Sequence, residues 1–149
     1  MTLATFFPWI PRIFGARHEA PTKHCYKPGQ VWRYKNAVRE DSRAIVGQVE
    51  NVPGAGTVVS ICVTNVYLPH WQTGEPTLRV ISHAPMTPEA MDVSVIEQTG
   101  SQEPIPEFTG ARAEWRAMIG QGAGVFSIPV ADVVKYMGEA LAKGIDAPN

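Results

Sequence analysis

The chain has 149 residues, enough for one domain with a proper core, and its 44% hydrophobic and 18% charged content is that of a globular protein. Lys plus Arg is 13 against 14 for Asp plus Glu, a net charge of −1, which excludes the basic excess of a general nucleic-acid binder. The two cysteines, Cys25 and Cys62, form no CxxC pair and complete no zinc pattern with the 4 His, so neither a metal nor a cofactor is expected.

Residues 1–27 read as an aromatic lead-in and linker. "MTLATFFPWIPRIFGARHEA" has no basic n-region, Pro8 and Pro11 interrupt its apolar run, and no small-residue cleavage site follows. It is also too short to span a bilayer. Phe6, Ile10, Ile13 and Phe14 fall at near-helical spacing beside Arg12 and Arg17. The stretch can dock on its own domain, fray, or touch a membrane surface or a partner. Docking or fraying is favoured over membrane contact by residues 3–14, because the stretch is short and carries only these two cations. Residues 18–28 are polar, hold Pro21 and Pro28, and read as a linker.

The domain proper is expected over residues 28–145. "GQVWRYKN" alternates, with Trp32 and Tyr34 on one face and Arg33 and Lys35 on the other, the pattern of a half-buried strand. "RAIVGQVEN" is a second strand, with Ile45 and Val49 expected on one face. "VPGAG" is its turn. "TVVSICVTNVYL" is β-branched almost throughout and is the longest strand, with Val59, Ile61 and Val63 as its apolar face. "PHWQTGEP" is a loop. "TLRVIS" is a fourth strand, expected to end at Ser82-His83.

The period then changes. Thr87 caps a helix that Pro88 begins and Glu89 favours, with Met91 and Val95 on one side and Gly100 as its stop. A second helix carries Phe108, Ala111, Trp115, Met118 and Ile119, and the glycines at 120, 122 and 124 end it. A third carries Val130, Val133, Val134, Met137 and Leu141 and stops near Gly144. The fold class is therefore α+β: an antiparallel meander of about four strands over residues 30–82, followed by about three helices packed on one face.

His83 is the best single candidate for chemistry, because it stands where a strand is expected to hand over to a helix. A catalytic histidine needs an orienting carboxylate, and the nearest in sequence are Glu89 and Asp92. The structural alternative, in which Ser82 and His83 satisfy local polar groups, has more weight for a lone His without a motif. "NVPGAGTVV" joins two strands and lacks the Gly-Lys-Ser/Thr of a phosphate loop, so it is a hairpin turn. Trp32 and Tyr34 face away from Arg33 and Lys35, which favours core over base stacking. Cys62 reads as a buried thiol, and a disulfide to Cys25 is the lesser reading. The segment "YLPHWQTGEP" brings Tyr67, His70, Trp71 and Glu75 to a loop rich in turn formers, a common setting for binding residues, with Trp71 folding back over the sheet edge as the equal alternative.

"KPGQVWRYKNAVREDSRAIVGQVE", "VISHAPMTPEAMDVSV" and "GVFSIPVADVVKYM" together resemble a set of small uncharacterised bacterial proteins. These share a GQVW-Y strand, an [IL]-[SP]-H-x-P segment before a helix, and an apolar last helix. The resemblance covers roughly residues 28 to 140. It implies a bacterial origin and one compact domain, and it carries no activity or catalytic residue across. With no convergent acid, base, nucleophile or metal set, the expected function is non-enzymatic protein binding, in its most concrete form an immunity protein that neutralises a toxin in the cytoplasm. The alternative is a small enzyme using His83 with Glu89 or Asp92.

Overall fold

The β-branched run around Val59 builds the centre of the molecule. A computed structural model describes residues 22–146, and in it strand β3 spans Gly56–Pro69. Before it come β1 (Gln30–Tyr34) and β2 (Arg43–Val52), and after it β4 (Pro76–Met86). Helix α1 (Pro88–Ser94) leads into a fifth strand, β5 (Val95–Ser101), then α2 (Glu107–Met118), a short 3-10 turn (Ile119–Gln121) and α3 (Val130–Asp146). The strands form one sheet in the order β4-β3-β2-β1-β5, and each neighbouring pair is antiparallel. The class is α+β, as the sequence indicates, but with five strands.

The fifth strand is the first correction. The helix expected to run on to Gly100 stops at Ser94, and Val95 is already extended at φ −75°, ψ 145°. The chain then pairs with the free edge of β1, from Tyr34 opposite Val95 to Gln30 opposite Ser101. The start of α1 is as expected: Pro88 opens it and the Thr87 hydroxyl accepts from the Ala90 N–H at 3.1 Å. Its end is fixed from outside. Ser94 donates its hydroxyl to the Ala90 carbonyl at 2.6 Å and accepts from the Val130 N–H at 2.9 Å, tying α1 to the start of α3. The β4 strand also runs longer than its sequence suggests, to Met86, so His83 lies inside a strand and not at a junction. At the far end, α3 continues past Gly144 to Asp146.

The helices divide between the two faces of the sheet, which corrects the expectation of a single covered face. On one side α1 and α3 pack Met91, Val133 and Met137 against Trp32, Tyr34, Val46, Val59, Ile61 and Val63. On the other, α2 sets Trp115 against Val52 and Val58, and Phe108 against Val31, Ile45 and Cys62. Full burial of a side chain of this size contributes roughly 1.5–3 kcal/mol. A break in the alternation of β2 lets α2 seat closely. The register with β3 shifts between Val46 and Gln48, around Gly47. Ile45 therefore points to α2 while Val49 packs with Ala44 and Val46 on the other side, so Ile45 and Val49 do not share a face. A β-carbon on Gly47 would stand 2.3 Å from the Phe108 ring, which lies directly on that bare backbone. Tyr26, placed in the linker by sequence, is buried in the main core.

Candidate functional site

The β3–β4 hairpin carries the side chains that the core does not claim. Tyr67 and Leu78 face each other across the ladder, and they are 44% and 50% exposed. Trp71, in the connecting loop, is 59% exposed. It stacks on His70, with ring centroids 6.1 Å apart and planes 23° apart.

Short local bonds hold this loop. The His70 N–H donates to the Glu75 carbonyl and the Gly74 N–H to the His70 carbonyl, both at 2.8 Å. Gly74 takes φ 76°, a left-handed turn that glycine adopts without strain. The Gln72 N–H donates to His70 Nδ1 at 3.1 Å, so His70 Nδ1 is an acceptor and its proton sits on Nε2 in the neutral ring. Pro69 and Pro76 pair at the two ends. A loop braced in this way loses little freedom on binding. Glu75 lends its carbonyl to the brace and is itself exposed.

The turn between β1 and β2 extends the surface. Arg39 donates to the Tyr67 hydroxyl at 2.8 Å, and its guanidinium carbon lies 5.4 Å from the Tyr67 ring centre. The same guanidinium grips Asp41 through two bonds of 2.9 Å. That grip holds the Asp41 carboxyl below its ordinary range. Val38, next in the chain, is 84% exposed. Behind it, Ser42 donates to the Thr64 carbonyl at 2.7 Å, so the Tyr34 hydroxyl donates to Ser42. A cleft of about 40 Å³ between Tyr34, Arg39 and Tyr67 has room for a water or two. That is far below the roughly 300 Å³ at which ligand pockets begin.

His83 sits elsewhere and is fully enclosed. Its Nε2 lies 2.9 Å from Ser60 Oγ on β3, and both side chains are 0% exposed. Its ring centre is 5.3 Å from that of Trp115 and 5.6 Å from that of Phe108, beneath α2. Among the described residues, Nδ1 has no hydrogen-bond partner. Burial first, and then the nearby Arg112 charge, push the His83 pKa from 6.5 down to about 3. Its bonded partner is a serine. The Asp92 carboxylate instead accepts from the Tyr26 hydroxyl at 2.6 Å and the Lys23 N–H at 2.8 Å. A serine–histidine pair can in principle activate a nucleophile, but here both members are closed off from any substrate.

Sequence reasoning missed three partners. Leu78 completes the exposed patch, and its parity with Val80 in "TLRVIS" was the available signal. Ser60 is the polar exception inside an apolar strand. Glu50 receives bonds from both Arg112 and Arg116 of α2, the latter at 3.2 Å. The spacing of four between those arginines puts them on one face of the helix. The cysteines are unpaired, Cys25 exposed and Cys62 buried, so the Cys25–Cys62 disulfide is not present. Burial pushes the Cys62 thiol pKa up.

Among the described residues, no three or more His, Cys, Asp or Glu are grouped as metal ligands, and no helix is long and apolar enough to cross a membrane. Residues 3–14, for which membrane contact is the less favoured reading, lie outside the described residues. No protein-family model, curated protein or solved structure matches the chain.

Proposed function

We propose that the protein is a non-enzymatic binder that holds a protein partner with the end of its β3–β4 hairpin, as an immunity protein holds a toxin. The observation that carries this reading is the grouping of Tyr67, Trp71 and Leu78, all exposed, on one braced hairpin. Exposed aromatic anchors on a rigid support are how small proteins concentrate contact energy. His70 stiffens Trp71 by stacking, and Glu75 supplies a rim charge that acts more on association rate than on affinity.

The test is calorimetric titration against the product of the gene adjacent to its own, with folding of each variant checked by circular dichroism. Trp71→Ala is expected to cost about 2 kcal/mol of binding, a hot-spot value, and Leu78→Ala about 1. A loss below about 0.5 kcal/mol for Trp71→Ala would remove it as an anchor and turn attention to Phe6, Phe7 and Trp9.

A further inference from the structure

The enclosed His83 has no place in a binding surface at the hairpin, yet it is built into the seat of a whole helix. Three contacts hold α2 on the sheet. Phe108 lies on the bare backbone of Gly47. Trp115 is buried against Val52 of β2 and Val58 of β3. Arg112 and Arg116 grip Glu50. His83 lies under the first two, touching both rings.

This seat admits only the neutral ring. In one tautomer Nε2–H donates to Ser60 and Nδ1 keeps an unused lone pair. In the other, Ser60 donates to Nε2 and Nδ1–H is stranded. A proton added to Nδ1 in the first case would give an imidazolium with one bonded and one unbonded N–H, wholly buried. The charge that acts on it is Arg112 on α2, which shares Glu50 of β2 with Arg116, and the Cys62 thiol on β3 packs against the same Phe108 ring. Arg112 opposes a second positive charge, Glu50 is already engaged by two arginines, and the thiol offers no anion. Among the described residues, nothing in the seat compensates the charge, so the cheapest way to hydrate it is to lift the cover.

We propose that α2 is an acid-released cover: a proton taken from solvent by His83 dislodges Phe108 and Trp115 and lifts α2 from β2, β3 and β4, while the sheet and α3 stay folded. The division of the core favours this partition. The cluster that includes α3 draws on β1, β2, β3 and β4 without any residue of α2. Release would bare Val58, Cys62 and His83 to solvent.

The experiment is amide hydrogen exchange on the full chain between pH 7.5 and 5.0, corrected for the intrinsic pH dependence of exchange. If opening frees a histidine of ordinary affinity, its equilibrium rises about tenfold per pH unit below about 6.5 and about 30-fold across the range. Protection of residues 107–118 is therefore expected to fall about 30-fold and to stay below that of β2 and β3 at every pH, because the sheet exchanges only through global unfolding, which frees the same histidine. His83→Gln, which cannot take up the proton, is expected to flatten the response. The regional comparison in the wild-type chain decides even if that variant does not fold. A second reading uses Cys62 in a Cys25→Ser chain, labelled with 4,4′-dithiodipyridine, whose rate, divided by that of the unfolded chain at the same pH, should rise in parallel with α2 exchange. Equal protection of α2 and the sheet at each pH, an unchanged α2, or a response that persists in His83→Gln overturns the proposal.

Discussion

Gly47 carries no side chain, and Phe108 uses the space. The glycine is needed for closeness alone, since its φ is not among the positive values of the chain. Gly47→Ala is therefore expected to cost about 1–3 kcal/mol, the usual penalty of overpacking, read as a lower urea midpoint at unchanged slope. In a Phe108→Ala background the same change should cost far less, because the ring it strikes is gone. Equal costs in both backgrounds would show that the strain lies in the backbone of β2 and not in the ring.

Ser94 shows how elements are fastened to one another. Its hydroxyl closes the last turn of α1 and receives the first N–H of α3, and its carbonyl accepts from the Lys35 N–H at 2.8 Å. The residue thus joins two helices and the turn after β1, and its own exposure is 1%. Ser94→Ala leaves the Val130 N–H buried without a partner, which is expected to cost about 1–3 kcal/mol. Faster amide exchange should then appear at the first turn of α3. Unchanged exchange there would mean that water replaces the hydroxyl. Position 94 also explains why the chain leaves helix for strand. Beyond it come the β-branched Val95 and Ile96, and β1 has an edge free to pair them.

For the whole molecule, two kinds of buried group set the pH range of stability. His83 has a folded-state pKa depressed to about 3 from 6.5. The unfolded chain then binds a proton that the folded one refuses, so its contribution is complete above about pH 6.5. It is lost as pH falls toward 3, by roughly 1.4 kcal/mol per unit. Tyr34 and Tyr26 have the opposite sign. Burial raises the Tyr34 pKa despite its bond to Ser42, and burial with the Asp92 carboxylate raises that of Tyr26. Their contributions are complete below about pH 10, the unfolded value, and are lost as pH rises beyond it. The melting temperature is thus expected to climb from pH 5 to about 7, hold level, and decline above about 10. A His83→Gln chain whose melting temperature still climbs over the acid range would shift the cause to other groups.

The sequence alone determined whatever depends on neighbours along the chain. The alternation of Trp32 and Tyr34 with Arg33 located β1, the run through Val59, Ile61 and Val63 located the centre of the sheet, and Thr87-Pro88 located the start of α1. The stripe of Phe108, Ala111 and Trp115 named the buried face of α2, and the turn formers between Pro69 and Pro76 marked the exposed hairpin end. Only the tertiary structure decided which elements meet. The apolar and polar residues of 95–101 look the same whether they extend a helix or pair with β1, because the partner edge lies more than sixty residues earlier. One shift of register at Gly47 turned Ile45 and Val49 to opposite faces, and gave α2 its own side of the sheet. His83 was visible as a lone histidine, but its partner Ser60 is twenty-three residues away, supplied by the register of β3 with β4. Burial and hydrogen bonding between distant segments set the chemistry of such a group, and local pattern carries no record of either.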